Sequence, residues 1–117
     1  MNNKHVALQK RWIERLGLQD WTITILDNCS PKELQDPLSQ AECFYNYVHK
    51  HATVRITSDK DREVDILPLD YEHLLVHELL HIKFAVLDDS GNALQDRIVH
   101  QLVEDFAGLL TEARDDT

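Results

Sequence analysis

Between Asp70 and Leu87 the chain runs through a segment that is apolar on nearly every side when wound as a helix. Leu74, Leu75, Val76, Leu79, Leu80, Ile82, Phe84, Ala85 and Val86 ring the wheel, and Glu72 and Lys83 make the only charged stripe outside one short motif. A helix that is apolar all round is buried, so the other elements must be arranged around this one. Asp70 is a good N-cap for it, and Asp88-Asp89-Ser90-Gly91-Asn92 is the break that stops it. The chain's 117 residues make one domain, 1–117, built about that helix.

The flanking elements follow from periodicity. Residues 4–16 read as a helix, with Leu8, Trp12 and Leu16 on one stripe, Val6 and Ile13 beside it, Asn2 or Asn3 as cap and Gly17 at the stop. Trp21 to Leu26 alternates apolar residues with threonine, the period of a half-buried strand. Residues 29–40, with Ser30-Pro31 and Asp36-Pro37, read as a loop. Ala41 to Val48 and Ala52 to Ser58 alternate again across His49-Lys50-His51, which predicts a hairpin. Ser58 to Asp65 is polar and expected at the surface. The last helix runs from about Ala93 to Ala113. The predicted class is α+β: an N-terminal helix, a small three-stranded, mostly antiparallel sheet, then two long helices.

Charge removes several functions. Twelve Lys and Arg against 21 Asp and Glu give a net charge of −9. A nucleic-acid binder needs a cationic face, and so does a protein docking on anionic lipid. Neither nucleic acid nor membrane is therefore expected as a partner. No apolar run is long enough to span a bilayer, and the amino terminus has no secretory pattern. Cys29 and Cys43 cannot make a disulfide framework and read as reduced thiols, which predicts a cytoplasmic protein.

The motif inside the apolar helix is His77-Glu78-Leu79-Leu80-His81. Residues i and i+4 lie one turn apart on one face, so both imidazoles can hold a single ion. Glu78, turned about 100° from His77, reaches a water on that ion without ligating it. Two imidazoles, one further N or O ligand and an open fourth position suit zinc, which lowers the pKa of its bound water to about 7. The bland alternative is a pair of core histidines bonded to backbone with Glu78 at the surface. It leaves three costly polar groups on a buried helix to be satisfied separately.

A third ligand must come from another element. The final helix offers His100 and Glu104, again one turn apart. His100 borders the apolar arc of that helix, where a ligand at a protein-lined cleft should sit, and Glu104 lies further towards the polar side. His100 is therefore the expected third ligand. Glu104 is expected to accept a hydrogen bond from a metal-bound imidazole, as carboxylates beside ligating histidines commonly do. Glu104 as ligand, with His100 beside it, is the alternative.

H-E-L-L-H on a buried helix, after a short sheet and before a second helix, resembles the zincin metallopeptidases. It is most similar to the minimal zincin-like proteins often encoded by phages and prophages, and more loosely to the Spartan/SprT and ImmA-type peptidases. Only the pentapeptide is specific. Phe84 and Leu87 stand where metzincins carry their glycine and third histidine, and Met1 is the only methionine, so no Met-turn exists. Gluzincins match better: their third ligand lies on a following helix at a similar distance, with an acidic residue one turn later. The departure is His100, where gluzincins hold Glu.

The resemblance implies a zincin fold and a zinc-dependent peptidase acting on a peptide or protein, with Glu78 as the base for a zinc-bound water. It also implies that Ala52 to Ser58, the last strand before the motif, is the edge that pairs with substrate. The alternative is a non-enzymatic interaction module on the same scaffold, with a structural or vestigial metal. The excess negative charge would favour cationic peptides if it faces the cleft. His73 is expected to be exposed or capping, and His49 and His51 solvated. Tyr45, Tyr47 and Tyr71 are undistinguished candidates for an oxyanion donor.

Overall fold

The computed structural model describes residues 3–35, 40–57, 70–85 and 93–113. Helix α1 (Asn3–Arg15) is followed by strand β1 (Thr22–Cys29), a 3-10 turn (Pro31–Glu33), strands β2 (Ala41–Asn46) and β3 (His51–Thr57), and helices α2 (Tyr71–Lys83) and α3 (Ala93–Glu112). The class is α+β, as the periodicities require.

Helix α1 stops where the backbone turns left-handed at Gly17, φ +68°. The Gly17 N–H bonds to Glu14 O at 3.1 Å and the Leu18 N–H to Ile13 O at 2.9 Å. This paired closure works because glycine carries no Cβ to resist the positive φ. Leu18 then folds into the core beside Trp12.

The sheet is mixed, in the order β1-β3-β2. β2 and β3 pair antiparallel, with Cys43 opposite Val54 and Tyr45 opposite Ala52. β1 runs parallel to β3, with Ile23 opposite Ala52 and Ile25 opposite Val54. One face is therefore apolar across all three strands: Ile23 and Ile25, then Ala52, Val54 and Ile56, then Ala41, Cys43 and Tyr45. β1 is longer than its alternation suggests because Asp27 to Cys29 continue it through an irregularity after Leu26. There the Thr57 hydroxyl donates to Cys29 O at 3.2 Å.

This order corrects one expectation. β3 is the central strand, hydrogen-bonded on both sides, so it cannot receive a peptide along an edge. Three apolar residues on one face placed Ala52, Val54 and Ile56 in the core but did not say which neighbours flank them. Among the described residues, the strands with an unpaired edge are β1 and β2.

Helix α2 lies on the apolar face of the sheet, with α1 and α3 packed against it. Leu75, Val76, Leu79, Leu80 and Ile82 are buried, in one core with Val99, Val103 and Ala107 of α3. The Asp70 side chain caps α2 by accepting the His73 N–H at 3.1 Å. The helix closes at Lys83, earlier than expected, where the Phe84 N–H reaches Leu80 O at 2.9 Å. The expected end near Leu87 and the break at 88–92 lie outside the described residues, as does the polar stretch after Thr57.

Polar side chains fix α1 to the start of α2. Trp12 Nε1 donates to Glu72 Oε2 at 2.6 Å. The Tyr71 hydroxyl donates to Asp27 at 2.7 Å and accepts from Gln9 at 2.9 Å. The His5 ring stacks on Tyr71, with centroids 3.5 Å apart.

Candidate metal centre

The histidines of α2 form a row along the one side of the helix that faces α3. His73, His77 and His81 are each half-buried, and Glu78 is buried at 6% exposure. The bland expectation of Glu78 at the surface does not hold.

His77 and His81 point their Nε2 atoms at each other, 3.3 Å apart. Two nitrogens bound about 2.0–2.1 Å from a tetrahedral zinc are separated by roughly 3.3 Å, so the pair already stands at ligand spacing. Nδ1 of His77 donates to Glu104 Oε2 at 2.8 Å. That bond fixes the tautomer and turns the Nε2 lone pair inward. Burial lowers the His77 pKa, although the Glu104 carboxylate opposes the shift. The net effect favours the neutral imidazole that a metal requires.

Glu78 is pushed the other way. Burial first, then the carboxylates of Glu42 and Glu104, raise its pKa to about 7. A carboxyl group poised there can hold a proton or release it near neutral pH.

The ligand atoms that converge fall into two overlapping sets, His77–Glu78–His81 and His73–His77–Glu104, each with its atoms within 4.8 Å of one another. These five residues are close enough to hold a metal ion. His100 belongs to neither set. Its ring lies beside the first, with its centroid 4.8 Å from that of His81 and 6.4 Å from that of His77. Glu104 sits on the outer edge of His77, where the expected hydrogen bond to an imidazole requires it. The donor set fits a borderline divalent cation: imidazoles on the inner side, a carboxylate holding one of them, and a second carboxylate beside them.

A pocket opens over Glu78 and His81, walled by Glu42, Cys43 and Tyr45 of β2 and by Asp96 and His100 of α3. Of the three tyrosines, Tyr45 alone lines it. Tyr71 is committed to Asp27 and Gln9, its pKa raised by burial, and Tyr47 is 48% exposed. Cys29 and Cys43 form no disulfide.

His73 corrects a second expectation. Its backbone N–H is capped by Asp70, but its ring is neither exposed nor idle. Nε2 lies 3.3 Å from Glu104 Oε1 and Nδ1 lies 3.3 Å from Thr111 Oγ1. The signal was its place one turn before His77. What the sequence lacked was the rotation of α3, which brings Glu104 and Thr111 opposite.

No protein-family model, curated protein or solved structure matches the chain. No helix among the described residues is long and apolar enough to cross a membrane.

Proposed function

We propose that this protein is a zinc-dependent metallopeptidase of the zincin type, cleaving peptide bonds in a reducing, cytoplasmic setting. The observation that carries the reading is the His77–His81 pair at ligand spacing beside a buried Glu78 whose pKa stands near 7. A structural metal site has no need of such a carboxylate. Bound zinc would supply Lewis acidity and an acidified water.

The chain's own residues do the rest. His77 and His81 present their Nε2 atoms, and His100 is the third ligand at the mouth of the pocket. Glu104 positions His77 through its Nδ1–H. Glu78 takes a proton from the attacking water and passes it to the leaving amine, two transfers that a group titrating near 7 serves in turn. Tyr45, on the pocket wall, is the tyrosine that this reading assigns as donor to the carbonyl oxygen.

An extended peptide fits along the outer edge of β2, beside Cys43 and Tyr45, adding a strand to the sheet. Glu42 and Asp96 on the pocket walls, together with the net charge of −9, favour basic peptides.

Glu78→Gln tests the reading. The variant should fold and bind zinc as the parent does, while zinc-dependent hydrolysis of a peptide library falls by ~10²-fold or more. Cleavage that survives the substitution rejects the mechanism. A parent that binds zinc yet cleaves nothing supports the non-enzymatic module instead.

A further inference from the structure

Helix α3 is apolar on two sides, and the core takes up only one of them. Val99, Val103 and Ala107 are buried in the core with α2. Ile98, Leu102, Phe106 and Leu109 follow one another at intervals of four, four and three residues, so they run down a second side, about 100° round the helix. They stand 52%, 38%, 41% and 61% exposed. Phe106 lies at the near margin, where its ring meets Phe84 with centroids 6.1 Å apart. The four together leave on the order of 350 Å² of hydrocarbon in water, and patches of that size on a monomer are often functional. The far margin of the row is polar and acidic. Gln101, Asp105 and Glu112 line it, all exposed, and Gln101 Nε2 donates to Asp105 at 2.9 Å. Along its whole length α3 sets Asp96, Glu104, Asp105 and Glu112 against Arg97 alone, in a chain of net charge −9.

We propose that this side of α3 docks an amphipathic helix of another protein, apolar along one stripe and flanked by Lys or Arg. The row of side chains at four, four and three is a ridge that the groove of a second helix accepts. Ile98 to Leu109 covers about 16 Å of helix axis, so the partner needs apolar residues at i, i+4, i+7 and i+11. Its cations meet Asp105 and Glu112. A second copy of this chain fits less well. Antiparallel pairing about a two-fold axis lays the same flank of each helix together, and Asp105 and Glu112 would face their own counterparts. The contact is small for a protein interface, which sets the expected Kd at about 10 µM. His100 and Glu104 stand on the opposite side of α3, so the docking depends on neither the metal centre nor hydrolysis.

Fluorescence anisotropy on the intact chain tests the proposal, with a chelator present so that no probe is cleaved. The probe is a labelled peptide of about 18 residues, with leucine along one helical stripe and lysine and alanine elsewhere. It should bind the parent, and more weakly as salt rises. A peptide of the same composition with its leucines scattered round the helix should bind at least about 10-fold more weakly, and so should one with glutamate for lysine. Gln is a good helix former, so Leu102→Gln combined with Leu109→Gln should leave the far-UV circular dichroism unchanged. That variant should lose at least about 10-fold in affinity for the lysine peptide. Asp105→Asn combined with Glu112→Gln should weaken binding by about 3–10-fold and flatten its salt dependence. A parent that binds none of the peptides, or binds the lysine and glutamate forms alike, overturns the proposal. So does a folded Leu102→Gln, Leu109→Gln protein that binds as the parent does, which would put the peptide elsewhere on the molecule. Sedimentation that shows a parent dimer, abolished by the same two substitutions, also overturns it and makes a second copy the occupant.

Discussion

Glu78 stands where a charged carboxylate is costly, and that cost depends on pH. In the unfolded chain the group titrates near its ordinary 4.5, and in the fold at about 7. The folded state thus prefers the protonated acid. Its contribution is present below pH 4.5 and is lost as pH rises through 7. The gap corresponds to about 3 kcal/mol at most. Urea unfolding of the metal-free protein should show stability declining between pH 5 and pH 8, and Glu78→Gln should flatten that decline. Equal slopes in both proteins would mean that Glu78 is not held in an apolar environment. The roles of His100 and Glu104 separate in the same way, by single substitutions. Glu104→Gln should weaken zinc by about 10–100-fold, because His77 exchanges a charged acceptor for a weaker, neutral amide oxygen. His100→Ala should weaken zinc further, in chelator competition, because a ligand is gone. The opposite order would make Glu104 the ligand.

At the scale of elements, helix α2 was the most legible part of the chain, because an all-round apolar helix with a polar triplet has only one environment that suits it. The last helix was only half legible: Val99, Val103 and Ala107, on one margin of its apolar arc, meet α2, whereas Ile98, Leu102, Phe106 and Leu109 of the same arc are exposed. The alternation of β1, β2 and β3 showed which residues face the core. It could not show strand order, since Ala52, Val54 and Ile56 read alike in an edge strand and in an enclosed one. Pairing of β1 with β3 rather than β2 leaves no signal in the alternation of any single strand. The pocket walls were invisible for the same reason. Glu42, Cys43 and Tyr45 line the site only because β2 is the outer strand on that side. His73 was misjudged because its partners belong to α3, and no spacing within one helix reveals the angle at which another approaches.

For the molecule as a whole, the candidate centre lies between two helices that also meet through apolar side chains and through the His73–Thr111 contact. Zinc that binds the folded state alone adds about 2.7 kcal/mol at a hundredfold excess over its Kd. A chelator should accordingly lower the Tm of the zinc-loaded protein by roughly 10 °C. His81→Ala should show little of that shift; a chelator that leaves the parent's Tm unchanged would rule out a bridging metal. The order β1-β3-β2 also governs how the chain reaches this state. Asn46 and His51 meet across a short turn, whereas Thr22 must find His51 across everything between them. Closing the short loop first loses less chain entropy, so the β2–β3 hairpin should form before β1 joins β3 on its other side. Substitutions in the turn at residues 47–50 should slow refolding, while those along the β1–β3 seam should mainly speed unfolding. Equal effects on both rates would mean that the three strands close together. On that route, the strand that walls the pocket is in place before the fold has a finished core, and the first event in folding shapes the face that opens over Glu78 and His81.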